Sequence, residues 1–161
     1  MIPEPASEPR WLNAEEQCHW RSFLSATSEL FDILDRRMQA EAGFPHAYYE
    51  VLVHLSEAPG RRLRMSDLAD RTVSSRSRLS HAVARLEERG WVRREPCPSD
   101  RRGQLAVLTD EGYAVLERAA PAHVCAVREH LLDRLGPEEF AALGRISAKL
   151  RQAKQKEGES P

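Results

Sequence analysis

Apolar residues recur at three- and four-residue spacing through most of this chain, and only one short region alternates. The first stripe, Trp20, Phe23, Leu24, Thr27, Phe31, Leu34 and Met38, predicts a helix of about thirty residues. Asn13-Ala14-Glu15-Glu16 has the form of a capping box at its start, and Gly43 and Pro45 stop it. A helix this long is expected to pack on more than one neighbour. Tyr48, Val51, Leu52 and Leu55 define a second helix over 47–57, closed by Ala58-Pro59-Gly60. A short third follows over 65–72 with Leu68 and Ala69 inward.

Positions 74–90 open on serines suited to capping and end in glycine. On a helical wheel Leu79, Ala82, Val83 and Leu86 share one face, while Ser77, His81, Ala84 and Glu88 point away, flanked by Arg78 and Arg85. Two short helices joined around Val73 and Ser74, the second longer and basic at its head, have the spacing of a helix-turn-helix. Two β-type runs follow, 91–95 and 105–109, and the residues between them predict a hairpin with a nine-residue loop, 96–104. Asp100-Arg101-Arg102-Gly103 sits at its tip. An arginine-tipped hairpin beside a recognition helix is a wing, and such a tip serves to enter a narrow minor groove. Two helices close the chain: one from the N-cap Thr109, with Leu116, Ala120, Val124, Val127 and Leu131 inward, and one from Pro137, with Phe140, Leu143, Ile146 and Leu150 inward.

Charge sharpens this reading. The 161 residues hold 24 basic and 25 acidic side chains, a net −1 that by itself argues against a nucleic-acid partner. Between Gly60 and Gly103, however, lie twelve arginines and six acids, a net +6, against −7 on the remainder. A coding bias explains why arginine replaces lysine but not why the arginines cluster, and a basic middle between acidic ends is the footprint of an embedded nucleic-acid-binding unit. A 41% hydrophobic composition excludes wholesale disorder. No apolar run approaches the ~18 residues of a membrane span, and the acidic, proline-bearing start is unlike a signal peptide, so a cytoplasmic protein with no membrane partner is expected. Cys18, Cys97 and Cys125 are too few and too scattered for a disulfide framework, and His19 beside Cys18 or His123 near Cys125 makes no metal-ligand set. Hydrolase, phosphate-loop and metalloprotease motifs are lacking, so neither catalysis, a cofactor nor a metal is expected.

Arg64-Met65-Ser66-Asp67-Leu68-Ala69, the run from Leu79 through Glu87-Glu88-Arg89-Gly90-Trp91-Val92-Arg93-Arg94, Asp100-Arg101-Arg102-Gly103 and Leu108-Thr109-Asp110-Glu111-Gly112 together resemble the MarR family of bacterial transcriptional regulators, over about 11–150. The resemblance implies a mainly α fold with a small β-hairpin wing, a winged helix-turn-helix inserted between N- and C-terminal dimerisation helices. The corresponding division is a disordered tail over 1–10, a dimerisation helix over 11–44, the DNA-binding domain over 45–109, dimerisation helices over 110–152 and a flexible tail over 153–161. It also implies a homodimer on an inverted-repeat operator in double-stranded DNA, acting as a repressor and released by a small aromatic effector. Expected base and backbone contacts are Ser75, Arg76, Ser77, Arg78 and His81 on the recognition helix and Arg101 and Arg102 on the wing, with Asp100 positioning the tip. Trp20, Phe23, Tyr48, Tyr49, Arg64 and Tyr113 fall on elements that would line the effector pocket. A cysteine-based oxidant switch at Cys18 or Cys97 is the alternative signal. A winged-helix interaction module that binds no DNA is the alternative of a different class.

Overall fold

The computed structural model describes residues 9–72, 75–98 and 100–157, without the side chains of 101–102 and 152–157. Most of the two expected tails and the side chains of Arg101 and Arg102 lie outside the described residues. Helix α1 (Ala14–Ala42) starts on the capping box: Asn13 Oδ1 accepts the Glu16 N–H and Glu16 Oε2 accepts the Asn13 N–H, both at 2.9 Å. Helix α2 (His46–Ser56) follows Pro45, which supplies no side-chain cap. Asp35 of α1 supplies one instead, its Oδ1 accepting the His46 N–H at 2.9 Å while Gln39 Nε2 donates to Oδ2. Helices α3 (Met65–Arg71) and α4 (Arg76–Glu88) form the helix-turn-helix, with Ser75 Oγ accepting the Arg78 N–H at the head of α4.

Three antiparallel strands, β1 (Arg62–Arg64), β2 (Val92–Cys97) and β3 (Asp100–Leu108), lie in the order β1-β3-β2. Strand β1 is too short for alternation to reveal it. The hairpin also corrects the nine-residue loop: pairing continues through Pro96 opposite Gln104 to Cys97 opposite Asp100, with residues 101–103 bulging from the β3 side. Proline is tolerated here because β2 is an edge strand next to an irregularity. Gly103 lets the bulge pack closely: a methyl group there would come within 2.9 Å of Asp100 Oδ2 and 3.1 Å of Cys97 Cβ, so the Asp100 side chain would have to move aside.

The core lies between the sheet and the helices that cover it. Leu52 and Leu55 of α2, Leu68 of α3, Leu79, Val83 and Leu86 of α4, and Val92 and Ala106 of the sheet are sealed from solvent, and each large side chain contributes about 1.5–3 kcal/mol of burial. Helix α5 (Asp110–Val127), a π-helical turn (Arg128–Leu132) and α6 (Pro137–Glu157) complete the chain.

The Leu-Thr-x-x-Gly segment is a junction between α4, the wing and α5. Thr109 Oγ1 accepts the Gly112 N–H at 3.0 Å and donates toward the Gly90 and Trp91 carbonyls at 2.8 and 3.0 Å. Gly112 sits so close to the Trp91 carbonyl that any Cβ would collide with it. Nearby, Arg61 holds a left-handed φ of 53° while its guanidinium lies 3.9 Å from the Tyr113 ring centroid and pairs with Asp110 at 3.1 Å.

Much of the expected inward stripe is uncovered. On α1 only Leu34 and Met38 are buried; Trp20, Phe23, Leu24 and Phe31 remain about half exposed. On α5 Val124 is exposed, and on α6 Phe140, Ile146 and Leu150 are 40%, 56% and 62% exposed, with Leu143 half-buried. These faces satisfy the helical period without being covered by the described residues of their own chain.

Candidate nucleic-acid interface

Ser75, Arg76, Ser77, Arg78 and His81 are all exposed along the first two turns of α4, while Leu79 and Val83 on the opposite face anchor the helix in the core. The head of α4 therefore presents hydroxyl, guanidinium and imidazole groups on one solvent-facing surface, the donor and acceptor set suited to base edges and phosphates. Beside it, a groove of about 410 Å³ runs between the N-terminus of α3, α4 and the outer end of the wing, with Arg64, Ser66, Arg76, Ser80, Asp100 and Gln104 among its walls. Arg64 approaches Asp100 at 4.0 Å across this groove. The wing-positioning candidate Asp100 thus faces Arg64, one of the effector-pocket candidates.

The effector candidates do not gather in one place. Trp20 and Phe23 stack on each other at 6.1 Å on the outer half of α1. Tyr48 lies near Arg89, and Tyr113 beneath Arg61. Only Tyr49 lines the second cavity, about 280 Å³ between α1, α2 and α5, together with Phe31, Leu34, His46, Glu50 and His123. His46 stacks on His123 at 5.2 Å, and Tyr49 lies 4.4 Å from the same ring. Burial pushes His46 below the ordinary imidazole range, with His123 adding to the effect and Asp35 opposing it, and burial alone lowers His123. Burial raises Glu50, and burial followed by Glu57 raises Tyr49. His46 Nε2 and His123 Nδ1 are buried without a hydrogen-bond partner among the described residues. Sequence reasoning missed both histidines because neither belongs to a motif and they lie far apart along the chain. Cys18 and Cys125 are exposed, and Cys97 is buried at the wing.

A helix-turn-helix whose second helix presents a basic head beside a β-hairpin, carried between long flanking helices, defines the winged-helix class. The model of the MarR family matches residues 42–103. Among solved structures, Sco3205 of Streptomyces coelicolor, a MarR family transcriptional regulator crystallised in complex with DNA, is 59% identical over 92% of each chain, with a TM-score of 0.85. AbsC, another MarR family regulator of that organism, is 43% identical over 92% of this chain and 99% of its own, with a TM-score of 0.83. The transcriptional regulator HosA of Escherichia coli is 37% identical over 91 residues, a match spanning 65% of HosA and 56% of this chain. PecS of Dickeya dadantii is 36% identical over 89 residues, spanning 53% of each. The chain belongs to the MarR family of transcriptional regulators. No helix among the described residues is long and apolar enough to cross a membrane.

Proposed function

We propose that this chain is a DNA-binding transcriptional repressor that works as a homodimer on a pseudo-palindromic operator and is released by a small aromatic effector. The observation that carries the reading is the exposed head of α4, Ser75 to His81, set beside the wing on a fold shared with the DNA-bound Sco3205. In this reading Ser75, Arg76, Ser77, Arg78 and His81 enter the major groove, and Arg101 and Arg102, held by Asp100, reach the adjacent minor groove. The half-exposed apolar faces of α1 and α6 support the homodimer, because a second copy would cover them. A two-fold dimer places its half-sites about one helical turn apart. The cavity at Tyr49, His46 and His123 supports release by an effector: it is walled by rings and holds polar atoms without hydrogen-bond partners among the described residues. An aromatic acid or phenol would stack on the rings and engage the imidazole nitrogens.

The test is fluorescence anisotropy of the protein with its own upstream intergenic DNA and with a scrambled duplex, at two salt concentrations. The expected result is a specific complex about 10³-fold or more tighter than the scrambled one, weakening steeply with salt. Equal affinity for both duplexes rejects sequence-specific regulation. No binding to either selects the interaction-module reading.

A further inference from the structure

The two arginines that end the Val92-Arg93-Arg94 run read alike in sequence but point to opposite sides of β2. Arg93 is exposed and is engaged by Glu95, with Nη2 2.7 Å from Oε1. Arg94 shares the inward side of the strand with the buried Val92, where an apolar residue is the ordinary choice. Its Nη2 donates to the Ser80 carbonyl of α4 at 3.0 Å, and its Nη1 lies 3.6 Å from Glu87 Oε2. The Glu87 carboxylate also accepts the backbone N–H of Arg94 at 3.1 Å, so the same pair is joined twice and the exposed edge of the sheet is closed there. Only 24% of the Arg94 side chain is exposed, and its Nε–H is buried without an acceptor among the described residues.

Ser80 and Glu87 are seven residues apart, two helical turns on one face of α4. Packing of Leu79, Val83 and Leu86 holds α4 against the core but resists sliding or rolling along it weakly, because apolar contacts carry little direction. A guanidinium fork tied to two points on the helix is directional. Its partly unsatisfied burial makes it a poor choice for stability alone.

We propose that Arg94 is a positioning residue for DNA recognition: from the edge strand of the wing it grips α4 at Ser80 and Glu87, fixing the register between recognition helix and wing so that both meet their grooves together. This rests on the DNA-binding reading above. Arg94 contacts no base in this account; it acts through the residues at the head of α4.

The experiment compares wild type with Arg94→Met, which keeps the apolar stem, and Arg94→Lys, which keeps the charge without the fork. Affinity for operator and scrambled duplexes is measured across a salt series, with thermal unfolding alongside. The expected result is an operator affinity about tenfold or more weaker for both variants, as for loss of a charge-assisted hydrogen bond, with scrambled-duplex affinity and its salt slope unchanged. A salt slope reduced by about one on both duplexes assigns Arg94 to a phosphate and overturns the proposal. So does full rescue by Arg94→Lys, or a lowered Tm with operator affinity intact. Should either variant fold poorly, Glu87→Gln weakens the same grip with Arg94 in place, and an unchanged operator-to-scrambled ratio in that variant overturns the proposal. Absence of an operator preference in the wild type itself defeats the DNA-binding reading and this proposal together. A failure confined to the variants defeats this proposal alone.

Discussion

At the scale of single residues, Gly112 shows how closely the winged unit is fitted to the helix that leaves it. Its α-carbon lies against the Trp91 carbonyl at the point where Thr109 ties α5 to the end of α4. Gly112→Ala must push two backbone segments apart, and a loss of about 3 kcal/mol is expected, the upper end of overpacking costs. Denaturant unfolding checks it, with a lower midpoint at an unchanged slope as the expected outcome. The glycine was legible in sequence as part of a recognisable segment, but its reason was not, because the carbonyl it accommodates belongs to a residue 21 positions earlier. Arg64 teaches the converse: it lies on an element expected to line an effector pocket, and the fold also brings its guanidinium to 4.0 Å from Asp100 on the wing, a neighbour 36 positions away that sequence spacing does not reveal.

At the scale of elements, the apolar stripes predicted α1, α4, α5 and α6 well, and among them α4 buries its large apolar residues in the core while the others leave part of their stripes exposed. Periodicity identifies a face and not its partner, so Phe140, Ile146 and Leu150 read as inward although no residue over 137–151 is buried. The nine-residue loop failed for a local reason. Pro96 and Pro98 signal a break, yet an edge strand beside a bulge accommodates proline, and the pairing runs on to Cys97. The uncovered faces yield a direct expectation. Ile146→Glu places a charge in the face assigned to a second copy, and sedimentation equilibrium should show the dimer giving way to monomer at micromolar concentration while the wild type stays dimeric. A variant as dimeric as the wild type would remove α6 from the interface.

At the scale of the whole molecule, the histidine pair makes stability depend on pH. His46 and His123 both titrate below the ordinary imidazole value of 6.5 in the folded protein. Between that value and their lowered ones the unfolded chain binds more protons, so stability is full above pH 6.5 and is lost as pH falls through this window. Glu50, raised by burial from 4.5, works the opposite way as pH climbs above 4.5, so the measurement belongs in a Glu50→Gln background. Thermal unfolding at fixed protein concentration should give a lower Tm at pH 5.5 than at 7.5, and His123→Gln should reduce the difference, with His46 and His54, both lowered chiefly by burial, supplying the rest. Equal slopes with and without His123 would contradict the assignment. The charge partition behind the DNA-binding reading was visible in sequence because it is a matter of position along the chain. The histidine pair was invisible because its members lie 77 positions apart.

The carboxylate of Asp35 bears on how this architecture can be divided. Helix α2, the first wall of the winged unit, begins on a hydrogen bond from another element and has no cap of its own. A fragment starting at residue 45 would keep every residue of the proposed DNA-reading surface and lose the hydrogen bond that caps the opening turn of α2. A winged unit moved to a new protein would need a replacement for this cap, whose loss typically costs about 1 kcal/mol. The winged unit and α1 share this contact, and a displacement of α1 at Asp35 would be felt at the head of α2.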